Sequence, residues 1–401
     1  MRLEYSSNPL HSQQFGTNPF LAELMPANLG QAGQPIESPV MLASLSRRPE
    51  DLWNEPYLAL RPNSFEQQRE VRRQQWNEAM THGRWAQARD ILNTDLGLVE
   101  QRFGANSPQL RETLSGLATC ELRLGNPQRA CDLLERCLGL FDPSLPSRFQ
   151  CDVRANLALC HLALAAAGQR NGGDADEIQR HRTRAVQVLN EGITNIGSMA
   201  QTPSHARLLE MMGTAEMAIA ENAPERRGRT YYRDARAHIQ QAIDIMENHG
   251  PPTRLLPLLA HYVQACLGAN AANPRVDQLQ LALPAYRRIV EIGDANQAKL
   301  SQEDRGFNYY NLAFALGNIA GSLGGIEGTN MFREAADAFA NAVRLLANST
   351  GAQARQLRLA AVQNYIYCAE RGPMPPTEAH QTELRQMRQL LQQLQGQNQN
   401  Q

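Results

Sequence analysis

From about residue 65 to residue 371, apolar side chains recur at steps of three and four, and runs that alternate apolar with polar positions are absent. The first pattern marks one face of an α-helix, whereas alternation would have marked a half-buried strand. An all-helical region is therefore predicted. Clusters of Gly, Pro and Asn punctuate it, at Gly104-Ala105-Asn106-Ser107-Pro108, Asn171-Gly172-Gly173, Gly250-Pro251-Pro252 and Gly372-Pro373. Six of the predicted helices share a further pattern. A small residue is followed by a large apolar one four positions later, then usually by another small or apolar one after three more. The trios are Ala88, Leu92, Asp95; Ala130, Leu134, Cys137; Ala185, Leu189, Gly192; Ala235, Ile239, Ala242; Ala282, Tyr286, Ile289; and Ala335, Phe339, Ala342. Steps of four and seven place each trio along one helical stripe. The small residue lets a neighbouring helix approach, and the large one fills the adjoining groove.

Three residues before the small position stand Trp85, Tyr232 and Phe332, and the first two stripes follow a turn glycine, Gly83 or Gly125. With these residues the pattern resembles the tetratricopeptide repeat family. Gly83-Arg84-Trp85-Ala86-Gln87-Ala88 is similar to its inter-helix turn, and Leu114, Leu117 and Ala118 to its first-helix signature. Stripe-to-stripe spacings are 42, 55, 50, 47 and 53 residues, longer than the family's period of about 34. The 42-residue step resembles the kinesin-light-chain-like branch. The likeness is specific in the first, second, fourth and sixth units and diffuse in the third and fifth, where turn glycines are missing. The resemblance implies an all-α, right-handed α-solenoid of about six helix-turn-helix units over residues 64–371.

The ends differ from this middle. Residues 1–63 are rich in Ser, Asn, Gln and Pro, a composition that does not offset the entropy of ordering, so a mostly disordered segment is expected. Within it, Asp51–Leu58 could dock on the first helices. Residues 372–401 are expected to form a capping helix and a Gln-rich, frayed tail. In that helix Leu384, Met387, Leu391 and Leu394 step three, four and three. Two heptads are short for a coiled coil, and an end repeat needs its apolar face covered. A monomer is expected.

Composition narrows the function classes. Net charge is −1, which argues against a protein that chiefly holds a phosphate backbone. Mean hydropathy is −0.47 and no apolar run approaches twenty residues, so no membrane span is expected. Of 39 basic residues only Lys299 is a lysine. Seven cysteines without a C-x-x-C pair make a poor disulfide framework, and reduced buried thiols are expected.

No nucleotide-binding, zinc-protease, serine-hydrolase or paired-cysteine zinc motif is present, so no catalytic residue, cofactor or metal site is assigned. Gly321, Gly324, Gly325 and Gly328 are expected to serve a flexible turn rather than a phosphate site. Cys160 and His161 are adjacent, but helical neighbours point about 100° apart and do not converge by themselves. Cys160 is expected in the core and His161 in a groove or on the surface. Two Arg runs, Arg69, Arg72, Arg73 on a helix and Arg226, Arg227, Arg229 in a loop, are read as solvated surface among acids.

In the resembling family, first helices line a concave groove that takes an extended peptide or a partner helix. Mapped onto this chain, the groove residues are Arg73, Asn77, Thr119, Arg123, Asn156, Thr214, His261, Tyr310 and Phe314. Some relatives read a C-terminal carboxylate with a clamp of basic residues and asparagines. Arg73 and Asn77 resemble its first part, but Gly116 stands where an Asn would and Asp152 where a Lys would. A non-enzymatic, cytoplasmic protein–protein interaction scaffold is the expected function. The alternative is a type III-like bacterial effector or secretion carrier, exported into a host cell with residues 1 to about 60 as an uncleaved leader. Asn18-Pro19-Phe20 in that segment is also a tripeptide that endocytic adaptors bind.

Overall fold

The computed structural model describes residues 65–142, 145–270, 274–323, 325–372 and 378–399. The expected disordered segment 1–63, its Asp51–Leu58 stretch and the last two residues lie outside the described residues. Those described form fourteen α-helices and no strand. The result is an all-α solenoid in which each helix packs against the next within its unit.

The described residues divide into two compact units, one up to His249 and one from Gly250. The first contains α1 (Phe65–Thr81), α2 (Trp85–Phe103), α3 (Arg111–Arg123), α4 (Pro127–Leu138), α5 (Arg148–Arg170), α6 (Ala175–Thr194), α7 (Pro203–Ala220) and α8 (Glu225–Met246). The second contains α9 (Leu255–Leu267), α10 (Val276–Ala295), α11 (Gln302–Ser322), α12 (Gly325–Leu345), α13 (Ala352–Arg371) and α14 (Glu378–Gln399). Six helix pairs thus run from α1–α2 to α11–α12. Helix α14 then packs on α13, tied by an Arg388–Glu370 ion pair of 2.9 Å. Its apolar stripe Leu384, Met387, Leu391, Leu394 is half-buried. The Gln-rich end stays helical to Gln399 rather than fraying, in keeping with the good helix propensity of Gln.

The predicted stripes are where the core lies. All eighteen residues of the six trios are buried, on the second helices α2, α4, α6, α8, α10 and α12. Fully burying a Leu or Ile of such a stripe contributes about 1.5–3 kcal/mol. Gly83 (φ +68°) and Gly125 (φ +84°) end the first helices of pairs one and two in the left-handed region. In both turns the chain closes back on the helix, with Arg84 N donating to Ala79 O (2.8 Å) and Asn126 N to Glu121 O (2.8 Å). This is the glycine-dependent C-terminal stop expected of a helical hairpin.

Three features depart from the sequence reading. The third and fifth pairs do have turn glycines, Gly172 (φ +66°) and Gly268 (φ +59°), placed further upstream. Helix α6 begins at Ala175, ten residues before Ala185, whereas α2 and α4 begin three residues before their stripes. Extra turns at the start of α6, α8, α10 and α12 account for much of the long spacing. Arg226, Arg227 and Arg229 are not in a loop: they occupy the first turns of α8, which starts at Glu225 after Pro224. An acid there favours a helix start through the helix dipole. Arg69 and Arg72 are not merely solvated. Their Nε atoms lie 3.5 and 3.1 Å from the carboxylate of buried Asp95 on α2. In the glycine-dense stretch, Gly325 (φ +66°) opens α12, and a Cβ at Gly328 would stand 2.8 Å from Leu323 O.

Candidate functional site

Three of the nine predicted groove residues meet in the first unit. Thr119 and Arg123 stand one turn apart on α3, and Asn156 faces them from α5. With Arg207 of α7 and the apolar Ala118, Leu122, Leu134 and Cys160, they line a small recess of about 10 Å³, room for about one water molecule. The Thr119 hydroxyl donates back to Ser115 O (3.1 Å). Arg207 Nη2 donates to Asn156 Oδ1 (2.6 Å), and its Nη1 lies 3.7 Å from Asp152 Oδ1. The Arg123 guanidinium sits 5.4 Å from the centre of the Trp85 ring, a cation–π contact. Burial lowers its proton affinity, because a cation withdrawn from water loses hydration. Chemically, the recess offers two guanidinium groups, an amide and an apolar floor, a set suited to an anionic or amide group with an apolar neighbour.

Arg207 is absent from the sequence-derived groove. It lies seven residues before Thr214 on α7, hence on the same stripe, and that spacing was the available signal. Thr214 itself is half-buried and donates to Glu210 O (3.0 Å). Arg73 on α1 pairs with Glu70 (2.7 Å) and reaches Glu112 at 4.0 Å, while Asn77 is exposed. Burial raises the Glu112 carboxyl's pKa against the opposing pull of Arg73 and Arg69. At Gly116, the added Cβ of an Asn would meet Leu92 Cδ2 at 3.2 Å. The close packing of α3 on α2 therefore occupies that clamp position.

The second unit holds the other three predicted residues, and they are core. His261 on α9 is buried. Tyr310 and Phe314 on α11 are only 4% and 3% exposed, which corrects their placement on a groove. Tyr310 packs edge-on against the stripe residue Phe339 of α12, ring centres 5.5 Å apart, and bonds Asn364. Phe307 is also buried. Tyr309 is half-buried, its hydroxyl 2.5 Å from Asp294 Oδ2. In this pair of long helices the aromatics fill the space between α11 and its neighbours.

The same correction applies to His161, which is buried on α5 rather than on a surface. Its Nδ1 faces Cys131 of α4 and His181 of α6, so a thiol–imidazole contact forms across helices, not along one. All seven cysteines are buried, and none is in a disulfide. Among the described residues no helix is long and apolar enough to cross a membrane, and no group of three or more His, Cys, Asp or Glu is arranged to hold a metal ion.

The tetratricopeptide repeat family model matches residues 77–142, the end of α1 through α4 and the chain just after it. This stretch is similar to the tetratricopeptide repeat family. It contains both glycine turns with the three-residue helix lead, the first two of the four units in which the sequence likeness is specific. Tetratricopeptide repeats are generally protein–protein interaction modules and typically not enzymes. Two solved structures are similar over much of the chain. One is the C-terminal part of a tetratricopeptide repeat-containing protein from Cytophaga hutchinsonii, 14% identical, covering 71% of this chain and 98% of that one, TM-score 0.31. The other is a circular tandem repeat protein with novel repeat topology and enhanced subunit contact surfaces, 13% identical, covering 82% and 76%, TM-score 0.35. No curated protein matches the chain.

Proposed function

We propose that this chain is a non-enzymatic interaction scaffold, and that its first unit takes an extended peptide across the recess of Thr119, Arg123, Asn156 and Arg207. The observation that carries this reading is the pairing of two partly desolvated guanidinium groups, from α3 and α7, around one recess with an amide and an apolar floor. A peptide carboxylate at the recess would engage Arg123 through charge-assisted bonds and compete with Asp152 for Arg207, with an adjacent apolar side chain against Leu122. The family-type first part of a carboxylate clamp, Arg73 and Asn77, lies on α1 outside this recess, with Arg73 paired to Glu70. Selectivity should therefore rest on α3, α5 and α7.

Peptide selection from a random display library against the full chain tests this. The expected result is enrichment of peptides with an acidic group next to an apolar residue. Their affinity should fall at least about tenfold in Arg123→Ala and in Arg207→Ala, with far-UV circular dichroism unchanged. Enrichment of peptides that bind the two variants as tightly as the parent chain would refute the recess as the site.

A further inference from the structure

Two imidazoles meet where α6 packs on α5, outside the proposed peptide contacts. His161 Nδ1 of α5 lies 3.2 Å from Nδ1 of His181 on α6, the ring centres 5.4 Å apart. Cys131 Sγ of α4 stands 3.7 Å from the same His161 nitrogen. His161 is 7% exposed, and its Nε2 is buried with no hydrogen-bond partner. His181 is half-buried. A contact between two Nδ1 atoms holds one proton, and the burial of Nε2 decides where that proton sits. With the proton on His161 Nδ1, that ring donates to His181 Nδ1 and its Nε2 carries no hydrogen. The opposite arrangement would strand an N–H in the core.

The contact fastens the turns of α6 that precede its apolar stripe. Ile178 rests on Gly168 of α5, where a Cβ would stand 2.9 Å from Ile178 Cγ1. Arg182 donates to Gln169 Oε1 of α5 (2.8 Å), and Arg184 pairs with Glu135 of α4 (3.6 Å). Of these links, the imidazole pair is the one whose charge changes between about pH 5 and 8. It has no place for a second proton. On His181 Nδ1 that proton would set two N–H groups face to face, and moving the His161 proton to Nε2 would bury an N–H without an acceptor. Burial and the facing His161 lower the His181 pKa, Glu177 on its own helix opposes this, and Arg180 adds to it. On α4, Glu135 is shared with Arg184, and Cys131 is held below its usual range by Cys160 and His161 against burial. Both of those donors belong to α5, so the Cys131 proton is not coupled to the seating of α6. On α7, Arg207 is held by Asn156, Glu216 by His238, and Glu221 attracts Arg182.

We propose that the His161–His181 contact is an acid-sensitive latch, which seats the first turns of α6, residues 175–184, on α4 and α5 at neutral pH and releases them below about pH 6. The seated state refuses a proton that the released imidazole accepts. Seating is therefore full above the ordinary His pKa of about 6.5 and weakens as pH falls through it, tenfold for each pH unit below. Release uncovers His161 and Cys131, which are 7% and 2% exposed when α6 is seated. The residues lining the peptide recess come from α3, α4, α5 and α7, so the latch and the recess are separable by mutation.

The test is hydrogen exchange of the full chain, read by mass spectrometry at about pH 7.5 and pH 5.5 and corrected for the intrinsic pH dependence of exchange. Protection over residues 175–184 should fall about tenfold between the two conditions, while α2 of the same unit keeps its protection. His181→Gln should remove the pH dependence at 175–184. His205 of α7 also has its pKa lowered by burial, and His205→Gln should leave the α6 response as it is. Nitrogen-15 NMR of the histidine-labelled wild-type chain gives a reading that needs no variant. At neutral pH it should show His161 with its proton on Nδ1 and His181 with its proton on Nε2. A wild-type α6 equally protected at both pH values would overturn the proposal. So would a His181→Gln chain that responds as the wild type does, a response abolished by His205→Gln, or a His161 that carries its proton on Nε2. Where His181→Gln leaves α6 unprotected even at neutral pH, the wild-type exchange and the NMR tautomers decide between these outcomes.

Discussion

Replacing Asp95 by Ala is the sharpest probe of how the first unit holds its terminal helix. Asp95 stands at the third position of the first stripe, where the other units place Cys137, Gly192, Ala242, Ile289 and Ala342. Its side chain is wholly buried, yet it accepts from Thr113 Oγ1 (2.8 Å) and Arg72 Nε (3.1 Å), with Arg69 Nε at 3.5 Å. One carboxylate on α2 thereby ties α1 to α3. Removing it strands two cations and a hydroxyl beside an empty space. Breaking a buried pair from one side costs about 3–5 kcal/mol. Because Arg69 and Arg72 keep about 15% of their side-chain surface in water, the lower end applies, about 3 kcal/mol. Hydrogen exchange of the α1 amides reads this directly, since α1 is the outermost described helix of the unit. Protection over residues 65–81 should fall about 100-fold, with a matching loss in urea unfolding. Asp95→Asn, which keeps an acceptor without the charge, should fall between. The triple change Asp95→Leu, Arg69→Met, Arg72→Met should regain most of the loss, because a well-packed apolar set commonly equals a buried ion pair. An Asp95→Ala chain within about 0.5 kcal/mol of the parent would refute the idea that this network carries the α1 contact.

Two further outcomes test close packing and charge. Gly213→Ala on α7 places a methyl 2.6 Å from Ile239 Cγ1 and 3.0 Å from Ala235 O, and should destabilise by about 1–2 kcal/mol despite the better helix propensity of Ala. Gly97→Ala on α2, where a Cβ meets nothing within 4 Å, should instead stabilise by about 0.5–1 kcal/mol, and urea midpoints of the two variants will show opposite signs. The second outcome concerns His238, which bonds Glu216 across α8 and α7 at 2.8 Å and has its pKa raised by that contact. The folded state therefore holds this proton more tightly than the unfolded chain. Its contribution is full below the unfolded His pKa and is lost as pH rises through the folded value. Urea midpoints should fall from about pH 6 to pH 8, and the slope should flatten in His238→Gln.

The fold was legible because the stripe that defines it is local. A small residue four positions before a large one is a single-helix pattern, and burying it needs only that the next helix pack closely, as Gly213 shows against Ile239. Helix starts were less legible. The extra turns ahead of Ala185 and Ala235 are polar and charged, so nothing in their periodicity separates helix from loop until the chain is seen to pack. The site divides along the same line. Thr119, Arg123 and Asn156 line one recess although the sequence likeness is specific at α3 and diffuse at α5. Tyr310 and Phe314 also stand on a first helix, but α11 packs against α10, α12 and α13, with Tyr310 against Phe339 of α12 and Asn364 of α13, so both side chains are interior. Gly116 makes the converse point. Its lack of a side chain, which reads from sequence only as a missing clamp asparagine, is what lets α3 approach Leu92. The clamp position thus serves helix packing.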